Sequence, residues 1–181
     1  MFTKGIFTRL LLTFIWVVLV SIFRWDWQLN LILLWLGAFL GTFLLDIDHI
    51  FYMYIHPHEL TSIRFKRYLE QKSYKEALLL LVNTHSERIK LNFHNALFQP
   101  FLYVVCFFVL STSGSLLGQG LVMAMALHLL KDEFECLLLK KEDYLRSLIF
   151  WPIKGQISLT NQKIFLIAMF LVFLGLNLFL I

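Results

Sequence analysis

Hydrophobic and polar positions divide the chain into five apolar segments, at about 6–24, 28–45, 95–112, 116–131 and 164–181. Each is near the roughly 20 residues that carry an α-helix across a bilayer. The first has Lys4 and Arg9 at its start and runs to Arg24 without the small-x-small site of a cleaved signal peptide, so it reads as a retained anchor. The polar stretch between the second and third segments carries helical signals of its own. Ser73 with Glu76 fits a capping box ahead of the run EALLLLVN, the hydroxyl and the carboxylate each satisfying an otherwise free backbone N–H. Upstream, TSIRFKRYLEQ alternates basic and apolar residues, as a helix lying on an anionic membrane surface would. A further surface element is predicted at EDYLRSLIFWPIKG, with Trp151 at headgroup level and Pro152 ending the helix. The pattern as a whole predicts an all-α integral membrane bundle of about five transmembrane helices with short cytoplasmic surface helices. It forms one domain over 1–181, with a helical insertion at about 50–93.

Charge placement orients this bundle. With a cytoplasmic N-terminus, the loops at 46–94 and 132–163 are cytoplasmic too, and fifteen of the sixteen Lys and Arg lie on or at the edge of that side. Only Arg24 falls outside, the bias expected of cytoplasmic loops. The expectation is a multi-pass protein of a prokaryotic inner membrane. Composition agrees, since 59% of residues are apolar and 15% charged, too few for a soluble monomer. The net charge of +4 would point to nucleic acid in a soluble chain. Here it is accounted for by the loops, and no nucleic-acid partner is expected. Cys106 and Cys136 form neither a metal-type pair nor a disulfide framework.

Candidate chemistry appears when ligand-type residues are placed on this topology. Asp46, Asp48 and His49 close the second segment, His94 opens the third, and His128 with Asp132 closes the fourth. Three helix ends would therefore meet at the cytoplasmic boundary. His128 and Asp132 are four apart, so they share a helical face and could hold one cation. The same face carries Ala124 and Gly120, and the second segment carries Gly37 and Gly41. Such stripes of small residues let two helices approach closely. Asp48, seven residues beyond Gly41, would then meet the His128/Asp132 pair. In an unbroken helix Asp46 would point about 140° away from Gly41. Either the helix distorts at Leu45 and Asp46, or one of the two aspartates is not a ligand. Glu135, three residues past Asp132, could act as a base or be a solvated charge. His56 and His58 read more readily as a turn beside Pro57 than as a second site.

At these positions the chain resembles the membrane-bound metal-dependent hydrolases, a family also described as LexA-binding and inner-membrane-associated. LLDIDH (44–49), FHN (93–95) and HLLKD (128–132) look like that family's LLPDIDH, HRGFTHS and H-x-x-x-D motifs, in the same order and membrane placement, over most of 37–135. Leu45 stands in place of the family's proline, and Ile89 and Lys90 in place of its histidine-arginine pair. THS at 84–86 matches the letters of the second motif but lies short of the span, which makes His85 the reserve for His94. The resemblance implies a divalent metal ion, zinc or manganese ahead of magnesium, with ligands drawn from Asp46, Asp48, His49, His94, His128 and Asp132. Asp46 or Glu135 would be the general base in a hydrolysis. A site at the headgroup level makes a phosphorylated or esterified membrane lipid the expected substrate, with Arg64, Lys66 and Arg67 available to attract the anion. Other readings are a noncatalytic membrane protein with a structural cation site and a partner-binding cytoplasmic loop, and a transporter with Gln99 as its main polar residue in the bilayer. A phosphatidic-acid-type phosphatase would need serine-glycine-histidine and arginine motifs that the sequence lacks.

Overall fold

The structure is a computed structural model that describes residues 2–24, 29–84, 87–139, 142–153 and 157–181. His85 and the connection at 25–27 lie outside them. Among the described residues there is no strand, and nine helices follow in order: α1 (Phe2–Arg24), α2 (Leu31–Leu44), α3 (Ile47–Ile55), α4 (Leu60–Glu70), α5 (Tyr74–Asn83), α6 (Phe98–Thr112), α7 (Leu116–Leu138), α8 (Glu142–Ile149) and α9 (Leu159–Asn177). Three stretches, Gly5–Arg24, Leu31–Ile55 and Leu159–Asn177, are long and apolar enough to cross a membrane. Phe98–Thr112 is apolar but shorter. Helix α7 is long, but Lys131, Asp132 and Glu133 interrupt its apolar run. It continues past 131 because Leu129, Leu130, Glu133 and Cys136 stay buried on its inner side.

The centre of the bundle is the α2–α7 pair. Gly37 and Gly41 of α2 lie against the backbone of Leu117 and Leu121, and Gly120 of α7 lies against that of Leu34. A Cβ at any of the three would fall within 3.0 Å of a carbonyl oxygen, so the two helices touch backbone to backbone. Leu34, Ala38, Met123 and Ala124 fill the rest of that seam. Helix α1 joins through a hydrogen bond between the Thr13 and Thr42 hydroxyls, 3.0 Å apart. Helices α6 and α9 add Leu102, Tyr103, Cys106, Phe173 and Leu176 to the same core. The outward faces of α1, α6 and α9 carry Phe14, Phe101, Phe108, Ile167 and Leu171, all exposed, a surface suited to lipid.

Helix α2 breaks at the polar end of the bundle. In a continuous helix the Asp46 N–H would bond the Thr42 carbonyl; it bonds Phe43 instead, at 3.0 Å, in a tightened turn from which α3 restarts. The distortion at Leu45 and Asp46 is therefore present, and it leaves the Thr42 carbonyl available to other partners.

Helices α4, α5 and α8 gather at this end. The α4–α5 hairpin packs Phe65 and Ala77 on Met53. Ser73 occupies the N-cap position of α5, but its hydroxyl makes no capping bond. A C-terminal motif of α4 takes over at this turn, with Lys72 at positive φ (54°) and Ser73 N–H donating to the Tyr68 carbonyl at 2.9 Å. Helix α8 packs Leu145, Leu148 and Ile149 beside the 91–97 loop. Two bonds fasten that loop, Ala96 N–H to the Ile149 carbonyl at 2.8 Å and Trp151 Nε1 to the Leu91 carbonyl at 3.1 Å.

Gly37→Ala and Gly41→Ala are each expected to cost about 2 kcal/mol through overpacking. Gly175→Ala, with nothing within 4 Å of the new methyl group, should gain up to about 1 kcal/mol from helix propensity. Denaturant unfolding in detergent, followed by circular dichroism, measures the contrast.

Candidate metal centre

Helix α7 delivers His128 and Asp132 on one face, and the seam glycines set where that face points. The backbone contact brings the freed Thr42 carbonyl to 2.8 Å from His128 Nδ1. A carbonyl only accepts, so Nδ1 carries the proton and the Nε2 lone pair faces away from α2. Nε2 is buried, lies 3.2 Å from Asp132 Oδ2 and makes no aligned hydrogen bond.

His94 reaches the same space from the 91–97 loop. Its ring stands 5.6 Å from that of His128, centroid to centroid. Its Nδ1 lies 3.4 Å from Asp48 Oδ2, which assigns Nδ1 the proton, and its buried Nε2 has no hydrogen-bond partner. Asp48 is fully buried and also accepts from the Asn92 and Phe93 N–H groups at 3.2 and 2.6 Å. The loop thus folds around the Asp48 carboxylate, and Asn95 finishes it by accepting from the Leu97 and Phe98 N–H groups at the start of α6.

Among the described residues, His94, His128 and Asp132 each offer one ligand atom, all within 4.8 Å of one another. The donor set fits a divalent cation: two imidazole nitrogens with protons fixed on the far side, and one carboxylate. Asp48, expected as a ligand, stands behind His94 and orients it. Asp46 stands at the rim, with Oδ1 3.9 Å from His128 Nε2. His49 lies beside the group, its ring 5.8 Å from that of His94, and its Nδ1 accepts from Arg88 Nε at 3.0 Å. Glu135 is exposed and paired with Lys131. His56 stacks on Tyr52, and Lys66 sits over the Tyr54 ring, both outside the group. Gln99 is buried and donates to Glu133 at 3.1 Å, between α6 and α7.

Two arginines complete the surroundings. Arg9 of α1 is largely buried; its Nη1 meets Asp46 Oδ1 at 2.8 Å, and its Nη2 and Nε meet the Asp132 oxygens at 3.1 and 3.3 Å. The loop-rule count treats Arg9 as a terminal cation. Its position inside an apolar run, four residues before Thr13 on the same face, is the signal that it has a partner. Arg88 is 1% exposed and donates to His49, to the Thr84 hydroxyl and to the Leu81 carbonyl. Burial lowers its pKa to about 10, against the opposing pull of Glu87. It stays charged at neutral pH and holds the end of α5 against α3. No residue pattern around Arg88 marks it in the sequence, because its burial comes from tertiary contacts.

No family model, curated protein or solved structure matches this chain.

Removing Arg9 leaves two carboxylates facing each other with one cation fewer. Arg9→Gln is expected to destabilise the protein by about 3 kcal/mol. Adding Asp132→Asn should recover at least a third of the loss, a coupling that a double-mutant cycle in detergent unfolding reads directly.

Proposed function

We propose that the protein is a membrane-embedded, metal-dependent hydrolase with its site toward the cytoplasmic leaflet. In this reading the bundle crosses a prokaryotic inner membrane about five times, with a cytoplasmic N-terminus. One observation carries the proposal: two buried imidazoles, each with its Nδ1 against an oxygen acceptor, and the Asp132 carboxylate each offer a ligand atom, all within 4.8 Å of one another. Metal-ligating histidines are oriented in this manner by outer partners. The N/O donor set suits zinc or manganese, and the family resemblance supports the reaction class. The α6–α7 pair supports the extra crossings, since its connection STSGS carries no charge.

When bound, the cation supplies Lewis-acid polarisation of an ester or phosphoryl oxygen. The chain supplies the rest. Thr42 and Asp48 hold the two rings in one tautomer, and Arg9 fixes the orientation of Asp132. Asp46, partly exposed beside His128 Nε2, is the carboxylate that would take a proton from an attacking water, ahead of Glu135. The substrate proposed is a phosphorylated or esterified membrane lipid.

The Arg9 bridge favours a second reading. A guanidinium that already neutralises Asp46 and Asp132 can serve as a structural counter-ion in a noncatalytic protein. Metal analysis of the protein purified in detergent, with assays on phosphate-ester and lipid-ester substrates, separates the two. The hydrolase reading expects bound zinc or manganese, and about a 100-fold loss of metal-dependent turnover in His94→Ala and in His128→Ala. Wild-type protein without metal, or turnover unchanged in both variants, supports the counter-ion instead.

A further inference from the structure

The α4–α5 hairpin carries apolar side chains on two faces, and the bundle covers one of them. The inner face is seated on α3, where Phe65 and Ala77 are buried with Met53 and the Ser62 hydroxyl reaches the Met53 sulfur at 3.5 Å. On the other side of α4, Leu60, Ile63, Arg64 and Arg67 follow the i, i+3, i+4, i+7 spacing of a single helical face, and all four are exposed. Helix α5 repeats the mixture. Tyr74 with Leu78, and Lys75 with Leu79, stand four apart and are exposed. Leu60 and Leu78 leave 63% and 60% of their surface uncovered. Single exposed leucines are ordinary on a protein surface. Five large apolar side chains interleaved with bases on one hairpin are the composition of helices that rest on a bilayer.

The hairpin is held where a bilayer surface would meet it. Helix α3 ends the Leu31–Ile55 stretch, which is long and apolar enough to cross a membrane. Residues 56–59 alone separate it from α4. Helix α4 then turns back along α3, since Lys66 Nζ stands 5.9 Å from the centre of the Tyr54 ring and Phe65 lies on Met53. Both contacts are to the last turns of α3, so the hairpin stays beside the end of that stretch.

Charge identifies the kind of surface. Residues 59–83 carry five Lys and Arg against three Glu. Of the acids, Glu59 is already engaged, accepting from the Tyr52 hydroxyl at 2.8 Å. Glu87 and Lys90, exposed just beyond, cancel, and Arg88 is buried against His49. We propose that the outer face of this hairpin docks on an anionic leaflet. Leu60, Ile63, Tyr74, Leu78 and Leu79 enter the headgroup boundary, and the neighbouring Arg and Lys meet lipid phosphates. A zwitterionic surface offers the same apolar boundary without net charge, so the preference is for acidic lipid. The inference needs neither a metal ion nor catalysis at the His94, His128 and Asp132 cluster.

The test places an environment-sensitive dye on Ile63→Cys or Leu78→Cys in the full-length protein, one molecule per nanodisc. Wild type is the blank, because Cys106 and Cys136 are buried. Discs of phosphatidylcholine are compared with discs in which phosphatidylglycerol replaces part of it, and docking is read as shielding from acrylamide, an uncharged quencher. The proposal expects both dyes to be shielded in the acidic discs and quenched in the others. Each base near an anionic surface shifts the docked-to-free ratio about fivefold, so Arg64→Gln/Arg67→Gln and, separately, Lys72→Gln/Lys75→Gln should each lower it about 25-fold. All four side chains are exposed, and either pair serves if the other fails to fold. Salt at about 1 M, which screens charges beyond about 3 Å, should abolish the difference between lipids. Quenching that is the same in both lipids, or shielding that survives both double substitutions, overturns the proposal. So does shielding confined to discs that hold two molecules, which assigns the face to a second copy of the chain.

Discussion

The backbone contact between α2 and α7 is the constraint on which the other features rest. With glycines placing backbone against backbone, close packing and an interhelical hydrogen bond hold the pair. Gly37, Gly41 and Gly120 allow the packing, and the Thr42 carbonyl with His128 supplies the bond. The second depends on the first, because a wider seam would move that carbonyl out of reach. It also depends on the break after α2, since a continuous helix would have used the Thr42 carbonyl for its own backbone. One local irregularity and three missing side chains therefore set the orientation of one imidazole.

Electrostatics ties the remaining elements to this pair. Asp46 leaves the break on one side and meets Arg9, which draws the first helix into the cluster. Asp48 leaves on the other and gathers the N–H groups of the 91–97 loop, which carries His94. Arg88 anchors the α4–α5 region through His49 in the same turn of α3. Three residues of one short motif thus reach three different parts of the chain. A site held by so many directional contacts is positioned before any ligand arrives, a condition for precise binding.

Features written in helical period were legible from sequence. The His128/Asp132 spacing and the two stripes of small residues needed only the repeat of an α-helix, and they meet as that repeat implies. The all-helical architecture and its membrane-length apolar stretches were legible for the same reason. The DIDH segment was legible in part: the helical repeat called for a distortion at Leu45 and Asp46 or an aspartate that is not a ligand, but the i→i+3 bonds of Asp46, Asp48 and His49 that make the distortion are announced by no side-chain pattern. Those bonds divide the aspartates between Arg9 and His94. The role of Asp48 depends on a loop 44 residues away folding back on it. Arg9 was hidden differently: a basic residue near the start of a first apolar segment is already explained by topology, which masks its helical spacing to Thr13. Ser73 and Glu76 carried the letters of a capping box, yet the turn is closed by the preceding helix.

The account centres on His94, His128 and Asp132 converging on one cation through the histidine Nε2 atoms. X-ray absorption at the zinc edge, recorded on the zinc-loaded protein in detergent, examines this without any assumption about substrate. The account predicts two imidazole scatterers with oxygen in the first shell, and one imidazole fewer in His94→Ala and in His128→Ala. A first shell of oxygen alone, or one unchanged by both substitutions, would contradict it.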